Sequence, residues 1–407
     1  MVAMADITCP KSYKQTEVGV IPEDWEVKTI DAVCKLINGR GFKPFEWKDS
    51  GLPIIRIQNL NGSDEFNFYQ GTYDKKLEVE PKQLLFAWSG SRGTSFGPHL
   101  WPGPLGLLNY HTWKVQIIES EVDKGFFLHT LRQLTGFIEG KAHGAAALVH
   151  TQKWEMESFQ FPLPPTKVEQ EAIAEALSDA DALIESLDQL IAKKRHVKQG
   201  AMQELLTGRK RLPGFSGEWE VKKVREIGEV ITGGTPPTQV KEYWLGTIPW
   251  VTPTDIDQTK DIFLTERQLT PKGLETIREL PPNSVLVTCI ASIGKNAVLK
   301  FKGGCNQQIN AVVPNHAKSA DFLYYLFESS KQYLLNNAGI TATSIISKKA
   351  FSELDFRLPQ LDEQTAIATV FSDMDAEIAA LEARLDKARQ IKQGMMHNLL
   401  TGKIRLV

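Results

Sequence analysis

The chain repeats part of its own sequence at a constant offset of 194 residues. Glu169–Ala174 (EQEAIA) reappears as Glu363–Ala368 (EQTAIA), and Lys198–Gly208 reappears with few changes as Lys392–Gly402. A gap-free alignment of this 44-residue repeat gives 23 identities, whereas ordinary composition would give about one in fifteen. The two segments that precede these copies resemble each other only in a few short stretches. We therefore predict two similar frames that carry two different recognition modules.

Both copies of the repeat have the apolar spacing of a long amphipathic helix. Apolar side chains recur in alternating steps of four and three residues, as in a helix–helix seam. Each segment starts after Pro165 or Pro359 and ends at Gly208 or Gly402, which predicts two helices of about 40 residues and ~60 Å. The predicted seam consists of Ile173, Leu177, Ala180, Ile184, Leu187 and Ile191 in the first copy and of Ile367, Phe371, Met374, Ile378, Leu381, Leu385 and Ala388 in the second.

Charge is distributed unevenly along each predicted helix. Residues 169–188 contain seven acids and no base, residues 193–211 contain seven bases and one acid, and the second copy has the same order. Antiparallel packing places opposite charges side by side, whereas parallel packing opposes like charges. We therefore predict an intramolecular antiparallel coiled coil; the alternative is two surface helices that each pack on their own domain. Gly200 and Gly394 interrupt both copies at one point, which predicts a close backbone approach or a kink.

Composition and motifs argue against an enzyme and against a membrane protein. The chain has 407 residues and a formal net charge of −2, and no apolar run reaches the ~18 residues of a membrane span. We expect a cytoplasmic protein. The four cysteines form no C-x-x-C pair, which favours inert thiols over a metal site. Glycine-rich nucleotide motifs and H-E-x-x-H are missing from the sequence, so we expect a recognition protein without a cofactor or metal of its own.

The segments outside the two helices have the pattern of mixed α/β modules. Leu52–Ile57 and Val285–Val287 predict strands, and Asp321–Asn336 predicts a helix. The loops are rich in Gly, Ser, Thr, Asn and Gln, which can hydrogen-bond to base edges; ordinary turns are the alternative for any single loop. The predicted fold is mixed α/β, with two globular domains separated by two long antiparallel helices and related by approximate twofold symmetry. The predicted boundaries are residues 1–162, 163–212, 213–358 and 359–407.

Five short segments occur in a fixed order along the chain. They are Thr16–Glu26, Leu163–Pro165 followed by Glu169-Gln170, Thr232–Pro236, Ile248–Thr252 and Asn306–Ile309. Together with the internal repeat, they resemble the specificity subunit of Type I restriction-modification enzymes over the whole chain. The resemblance implies a non-catalytic subunit whose two target-recognition domains each bind one half of a bipartite DNA sequence, while the paired helices fix the distance between the half-sites.

The same resemblance implies partner proteins. These are two methyltransferase subunits, which use S-adenosylmethionine to methylate adenine, and restriction subunits, which use ATP and Mg²⁺. Double-stranded DNA is then the ligand of this chain, and no cofactor is expected in it. A coiled-coil adaptor that binds proteins through two α/β domains, without touching DNA, is the alternative.

The two predicted domains differ at matched positions. Gly39–Pro44 (GRGFKP) stands where the second domain has Gly233–Pro236 (GGTP), and Asn109–His111 (NYH) stands near the place of Asn306–Gln308 (NQQ). We therefore expect the two half-sites to differ, so that the target is asymmetric.

Candidate DNA contacts follow from side-chain chemistry. Arg, Asn and Gln are suited to base edges, and Lys, Ser and Thr to phosphates. The candidates are Arg40, Lys43, Arg56, Asn59, Ser91, Arg92, His111, Lys141, His143 and Lys153 in the first domain and Thr232, Thr235, Thr252, Thr254, Lys295, Gln307, Gln308, Thr343, Ser344, Lys348 and Lys349 in the second.

Overall fold

The computed structural model of the chain describes residues 12–141, 148–257, 259–340 and 344–406. Its strands are Tyr13–Thr16 (β1), Gly19–Pro22 (β2), Glu26–Thr29 (β3), Cys34–Asn38 (β4), Leu52–Ile55 (β5), Asn67–Tyr69 (β6), Glu78–Val79 (β7), Leu84–Ala87 (β8), Ser89–Ser91 (β9), Gly97–Leu100 (β10), Gly106–Leu108 (β11), Thr112–Ile117 (β12), Leu148–His150 (β13), Gln160–Leu163 (β14), Glu220–Lys223 (β15), Gly228–Thr232 (β16), Trp244–Val251 (β17), Asp261–Ile262 (β18), Gln268–Leu269 (β19), Ser284–Thr288 (β20), Asn296–Leu299 (β21), Gly304–Cys305 (β22), Ile309–Pro314 (β23), Gly339–Ile340 (β24), Ser344–Ile345 (β25) and Asp355–Leu358 (β26). Its α-helices are Ile30–Val33 (α1), Ile57–Leu60 (α2), Lys124–Lys141 (α3), Lys153–Ser158 (α4), Lys167–Leu205 (α5), Val224–Ile227 (α6), Pro271–Glu275 (α7), Ala320–Ser329 (α8), Lys331–Asn336 (α9), Lys348–Ser352 (α10) and Leu361–Leu399 (α11).

Contacts along the chain divide it into two compact units. The first unit comprises Met1–Leu187 and Arg384–Val407, and the second comprises Asp188–Ala383. The helices α5 and α11 have 39 residues each, and each contributes to both units. Each unit therefore contains one globular module, the first half of the helix that follows this module, and the second half of the other long helix.

The module of the first unit contains two four-stranded sheets within the described residues. One is antiparallel, with the order β10-β8-β12-β4, and the other has the order β6-β5-β11-β7, in which β5 and β11 are parallel. Buried Phe86 and Trp113 of the first sheet belong to one apolar core with Phe126 of α3. This core holds the helix against the sheet.

The module of the second unit has a similar construction. A sheet with the order β16-β23-β20-β21-β18 is joined by the smaller sheet β19-β17-β22, in which β17 and β22 are parallel. Val285 and Val287 of β20 share a buried core with Phe322 and Leu323 of α8. The predicted mixed α/β fold with two modules and two long helices is confirmed.

Two predicted elements are shorter than their sequence pattern. The strand predicted over Leu52–Ile57 ends at Ile55, because Arg56 occupies the N-cap position of the short helix α2, where its amide donates to Asn59 Oδ1 at 3.0 Å. The helix predicted over Asp321–Asn336 is divided into α8 and α9 at Ser330, whose Oγ donates a hydrogen bond of 2.6 Å to the Leu326 carbonyl oxygen. A serine hydroxyl that bonds to the preceding turn competes with the helix hydrogen bonds.

The halves of α5 and α11 that meet within a unit run antiparallel, as predicted. In the second unit Lys194 Nζ lies 2.6 Å from Glu377 Oε1, and Lys198 pairs with Asp375. Residue numbers therefore rise along α5 as they fall along α11. The basic half of α5 faces the acidic half of α11, which is the charge pairing expected from the sequence.

The first unit contains the same charge pairing with the roles of the helices exchanged. Asp181, in the acidic half of α5, pairs with Lys392 in the basic half of α11. Arg132 of α3 donates a hydrogen bond of 2.7 Å to the other oxygen of Asp181. The aspartate thus connects both long helices to the globular module of its unit.

The repeated Glu-Gln dipeptide has a structural role at the start of each long helix. Gln170 and Gln364 are buried, and their amide nitrogens donate to the carbonyl oxygens of Pro164 at 3.0 Å and Pro359 at 2.8 Å. The preceding glutamates, Glu169 and Glu363, are buried in ion pairs with Arg405 and Arg211. These repeated residues therefore hold the start of each long helix within its own unit.

The predicted seam residues do not all serve the helix–helix contact. Ile173 and Leu177 are part of the core of the first module, and Ile367 and Phe371 are part of the core of the second. The first turns of each long helix thus pack on a globular module, as in the alternative to a coiled coil. Further along, Leu187, Ile191, Ile378, Leu385 and Ala388 are buried, while Ala180, Ile184, Met374 and Leu381 are partly exposed.

The prediction of a close backbone approach at Gly200 and Gly394 is wrong. A β-carbon built on either glycine has no neighbouring atom within 4 Å among the described residues, and both helices continue through these positions. The two glycines face open space in this chain.

Burial determines the chemistry of the described cysteines. Cys34, Cys289 and Cys305 are buried free thiols, and desolvation raises the pKa of Cys289 to about 11 and the pKa of Cys34 and Cys305 to about 12. A protonated thiol is a poor nucleophile and a poor metal ligand. Cys9 lies outside the described residues.

Every helix in the described part of the chain is too short or too polar to cross a lipid bilayer.

Candidate nucleic-acid interface

Each unit places a glycine against a backbone turn, and the two turns are equivalent. A β-carbon on Gly39 would lie 1.9 Å from the carbonyl oxygen of Asn109, and one on Gly233 would lie 2.2 Å from the carbonyl oxygen of Asn306. Only glycine allows such an approach. The loops that the sequence predicted to be equivalent therefore have equivalent backbone contacts.

Each of these turns follows a parallel strand pair. The Asn109 amide donates to the Ile55 carbonyl at 3.2 Å, and the Asn306 amide donates to the Val251 carbonyl at 2.9 Å. Because the carboxyl ends of parallel strands lie at one edge of a sheet, the loops that follow them converge. We call this convergence the loop edge of each unit, consisting of Gly39-Arg40, Arg56 and Asn109–His111 in the first unit and of Gly233–Thr235, Thr252 and Asn306–Gln308 in the second.

Hydrogen bonds fix the glutamines at the loop edge of the second unit. Thr235 Oγ1 donates to Gln307 Oε1 at 2.6 Å, and Asn306 Nδ2 donates to Gln308 Oε1 at 3.0 Å. Because both amide oxygens accept hydrogen bonds, the NH₂ groups of the two glutamines are left as donors. Three of the candidate DNA contacts, Thr235, Gln307 and Gln308, thus lie together in one loop edge.

The hairpin between β20 and β21 connects Ser344 to this edge. The Cys289 amide donates to the Gln308 carbonyl at 2.8 Å, and the Ala291 amide donates to the Ser344 carbonyl at 3.1 Å. Lys295 lines a cleft with Tyr324 and Glu328 of α8 instead. Thr343 lies outside the described residues.

The remaining candidate DNA contacts of the second unit lie in surroundings that differ from one residue to the next. Thr232 Oγ1 donates to Asn310 Oδ1 at 2.7 Å and is partly buried. Thr252 Oγ1 donates to Asp255 Oδ2 at 2.6 Å and lies 2.7 Å from Thr254 Oγ1. The carboxylate of Asp255 makes this loop unfavourable for a phosphate. Lys348 and Lys349 are exposed in the first turn of α10.

Arg40 is neutralised within the loop edge of the first unit. Its guanidinium pairs with Glu46 and lies over the rings of Phe42 at 4.8 Å and Tyr69 at 5.0 Å. The Glu46 carboxylate also accepts from the Lys43 amide at 2.8 Å, and Lys43 is exposed. A base contact by Arg40 therefore has to compete with an existing ion pair.

The structure argues against Asn59 as a DNA contact, contrary to the prediction from the sequence. Its side chain is 4% exposed, accepts from the Arg56 amide at 3.0 Å, and donates to the carbonyl oxygens of Ser63 and Glu65 at 3.0 and 2.8 Å. These bonds stabilise its own loop and leave no exposed group for DNA. Arg56 is partly exposed, with Nη1 donating to Asn67 Oδ1 at 2.9 Å.

His111 is linked to the segment that carries Ser91 and Arg92. The Trp88 amide donates to the His111 carbonyl at 3.2 Å, and Trp88 precedes β9, after which Arg92 is exposed. Desolvation lowers the pKa of His111, so its ring is neutral at pH 7 and suits a base edge better than a phosphate.

The remaining candidates of the first unit are less informative. Lys153 begins α4 and pairs with Glu157 at 3.4 Å. Lys141 is the last residue of α3. His143 lies outside the described residues.

Arg267 is a functional candidate that the sequence patterns did not show. This exposed residue lies between β18 and β19, with its guanidinium 3.8 Å above the ring of Trp244 and 5.0 Å from the ring of Trp250. Two indole rings hold one cation beside the loop edge of the second unit. Tryptophans spaced along β17 are the only trace of this arrangement in the sequence.

The described residues of the two loop edges present hydrogen-bonding groups. Among them, no three His, Cys, Asp or Glu side chains come together as metal ligands. The loop edges instead present amide and guanidinium donors of the kind that recognise base edges.

Comparison with known proteins agrees with this chemistry. The family model described as "Type I restriction modification DNA specificity domain" matches residues 22–193 and 216–390. The Type I restriction enzyme MjaVIII specificity subunit of Methanocaldococcus jannaschii is 24% identical over 100% of this chain and 99% of that protein. The MjaIX specificity subunit of the same organism is 35% identical, but over 39% of this chain and 38% of that protein.

A solved structure has the same fold. The Type-I restriction-modification system S subunit from M. genitalium aligns with a TM-score of 0.58 and 15% identity, over 92% of this chain and 96% of that one. The family description, a DNA specificity domain, agrees with the prediction of a recognition protein rather than an enzyme. Because the family model matches twice and covers most of both units, the chain belongs to the Type I restriction modification DNA specificity domain family.

Proposed function

We propose that this chain is the specificity subunit of a Type I restriction-modification complex and reads a bipartite, asymmetric DNA sequence, one half-site per unit. The observation that carries the proposal is the pair of loop edges. Their backbone contacts are the same at Gly39 and Gly233, but the side chains on them differ. Residues 1–162 and 213–358 are the target-recognition domains in this proposal, and residues 163–212 and 359–407 are the spacer helices.

The side chains of each loop edge suit a different set of bases. Arg40, Arg56 and His111 surround the edge of the first unit, whereas Thr235, Gln307 and Gln308 form that of the second. Glutamine amides pair with adenine and arginine with guanine in the major groove. The exposed Lys43, Ser91, Arg92, Ser344, Lys348 and Lys349 are candidates for phosphate contacts.

In this proposal the long helices set the spacing of the half-sites. Each has 39 residues, about 58 Å at 1.5 Å per residue, and each contributes to both units. An added turn of helix would therefore change the length of DNA between the half-sites, without altering the side chains that contact bases.

Methyl transfer and cleavage belong to partner proteins in this proposal. Two methyltransferase subunits bind S-adenosylmethionine and methylate adenine, and restriction subunits bind ATP and Mg²⁺. The complex acts on DNA in the cytoplasm. What supports this division is the match to a DNA specificity domain family and the amide and guanidinium donors that the described loop edges offer to DNA.

The test is to map methylated adenines in a host that expresses this chain with its methyltransferase partner. We expect one bipartite motif with unlike halves. Methylation without a bipartite motif, or methyl transfer to DNA by this chain alone, contradicts the proposal.

The spacer role has its own experiment. Four residues, about 6 Å of helix, are inserted after Leu187 and after Leu381, which are equivalent positions in the repeat. We expect the methylated motif to keep both halves and to gain about two base pairs of spacer, at ~3.4 Å per base pair. The control is a four-residue insertion at the exposed turn after Glu119, which should leave the spacer unchanged. An unchanged spacer in the helix variant would show that the helices do not set the distance.

A further inference from the structure

We propose that Arg267 reads a guanine in the half-site bound by the second unit. This inference rests on the proposed function, since it requires that the unit binds DNA. It adds a specific residue and a specific base to that function.

The two tryptophans form a rigid support for the Arg267 guanidinium. Their rings are nearly perpendicular, at 83°, with centroids 5.1 Å apart. Trp250 Nε1 donates to the Gly234 carbonyl at 2.9 Å, and Trp244 Nε1 donates to the Pro237 carbonyl at 3.3 Å. Because both rings are fixed to the same loop, the arginine that lies over them has little freedom left to lose on binding.

The backbone at Arg267 is fixed as well. Its carbonyl oxygen accepts from Thr265 Oγ1 at 2.6 Å and from the Trp250 amide at 3.4 Å. Arg267 is therefore held at its backbone by hydrogen bonds and at its guanidinium by the two indole rings. Its side chain is nevertheless exposed and accessible to a ligand.

Arg267 differs from Arg40 and Arg56, the candidate arginines of the first unit's loop edge, in its polar contacts. Arg40 pairs with Glu46, and Arg56 donates to Asn67. No carboxylate among the described residues lies within ion-pair distance of Arg267. Stacking uses the face of the guanidinium and leaves the donors in its plane available. That planar pair of donors matches the O6 and N7 acceptors of guanine in a fixed geometry, which the flexible ammonium of lysine lacks.

The support also places Arg267 beside the candidate base-reading residues. The loop that accepts both indole hydrogen bonds contains Thr235, which bonds to Gln307. The residue before Arg267 is linked to the neighbouring loop, because the Glu266 amide donates to Asp255 Oδ1 at 3.1 Å. Arg267 therefore extends the loop edge of the second unit.

Strand β17, which carries both tryptophans, contains a β-bulge beside Trp244. The register against Leu269 shifts between Trp244 and Ile248. Leu245, inside the bulge, has a φ of 62° and is 96% exposed. A leucine in the left-handed region costs free energy, and bulges of this kind redirect side chains at functional sites. Here the bulge lies next to the ring that supports Arg267.

The experiment compares methylated motifs in cells that express the methyltransferase with this chain or with Arg267→Ala, Arg267→Lys or Arg278→Ala. Arg278 is the matched control, since it is an exposed arginine of the same unit and no aromatic ring among the described residues lies against it. We expect both Arg267 variants to lose about 10- to 100-fold of the discrimination at one guanine of one half-site. All other positions stay unchanged, and Arg278→Ala keeps the full motif.

The Arg267→Lys variant distinguishes the loss of base recognition from the loss of positive charge and from misfolding. It retains the positive charge and can still stack on the indole rings, but it lacks the planar pair of donors. If Arg267→Lys keeps the guanine preference, or if Arg267→Ala reduces methylation evenly at all sites as a phosphate contact would, the inference is wrong. If the unaltered chain itself directs no bipartite motif, the proposed function fails instead.

Discussion

Arg405 and Glu169 form a bidentate ion pair across 236 positions of the chain. The Glu169 side chain is 1% exposed, and Arg405 Nη2 lies 2.8 Å from Glu169 Oε2. Arg211 and Glu363 repeat this pair in the second unit, with the Glu363 side chain 3% exposed. The start of each long helix is therefore bound to the segment that follows the other helix.

Trp25 and Asp24 complete the contact in the first unit. The Arg405 guanidinium lies 5.7 Å from the ring of Trp25 and donates to both oxygens of Asp24, at 2.9 and 3.0 Å. Hydrogen bonding to Glu169 raises the pKa of Arg405, and hydrogen bonding to Arg405 lowers the pKa of Asp24. These contacts keep the arginine charged and oriented over the buried glutamate.

We expect Arg405→Ala to destabilise the first unit by about 3 kcal/mol, because it leaves the Glu169 carboxylate buried without a partner. Thermal unfolding of the whole chain measures this change. Lys403→Ala, at an exposed lysine two residues before Arg405, should cost less than ~0.5 kcal/mol. The double variant Glu169→Gln/Arg405→Ala should recover part of the loss, since the uncompensated charge is gone. Equal stability of Arg405→Ala and Lys403→Ala would contradict the structural role of the pair.

Acid should destabilise the first unit through His129. This residue of α3 is 1% exposed, its Nε2 lies 3.2 Å from Ser178 Oγ, and its Nδ1 has no partner among the described residues. Desolvation lowers its pKa from 6.5 to about 4, and the charges of Arg132 and Lys392 act in the same direction. Asp181 opposes this shift.

The sign of the pH effect follows from these pKa values. Between about pH 6.5 and 4 the unfolded chain binds a proton at His129 that the folded chain does not, so stability falls as the pH falls through this window. The full loss is about 3 kcal/mol for a shift of this size. Denaturant unfolding at pH 7 and pH 4.5 should show a smaller loss in His129→Gln than in the unaltered chain. Identical pH profiles would exclude the assignment.

Alanine in place of Gly200 or Gly394 should stabilise the chain by up to about 1 kcal/mol. Glycine is a poor residue in a helix interior, and the added β-carbon meets no described atom within 4 Å. Gly233→Ala is the matched contrast, because its β-carbon would lie 2.2 Å from the Asn306 carbonyl oxygen and should destabilise the second unit. Unfolding temperatures of the three variants test the comparison. A loss of stability in Gly200→Ala would mean that its surroundings are not open.

The isolated chain should bind DNA weakly. Its formal net charge is −2, so the chain as a whole carries no excess of positive charge to attract DNA phosphates, and Arg40 at the loop edge is already paired with Glu46. We expect a dissociation constant in the nonspecific range, about 10⁻⁴–10⁻⁶ M at physiological salt. Addition of the methyltransferase partner should tighten it. Titration of labelled duplex at several salt concentrations measures both values, and tight, salt-sensitive binding by the chain alone would contradict this expectation.

Sequence reasoning was most reliable where the signal repeats along a helix or between the two copies. The four-and-three spacing and the acid–base order predicted both long helices and their antiparallel packing. It was least reliable for the roles of single side chains. Asn59 is an amide in a polar loop, and only its buried hydrogen bonds to Ser63 and Glu65 show that it supports its own loop.

The sequence by itself determined the repeated frame and the mixed α/β class, because periodicity and charge order act between residues that are near each other in the chain. Short motifs in a fixed order, together with the internal repeat, carried the resemblance to the family. The tertiary structure alone decided which distant residues meet, such as Glu169 with Arg405 and Arg267 with Trp244. It also showed that the first unit is assembled from two separate segments of the chain. The physical reason is that burial and stacking depend on how strands and helices are arranged in space, which local sequence patterns do not specify.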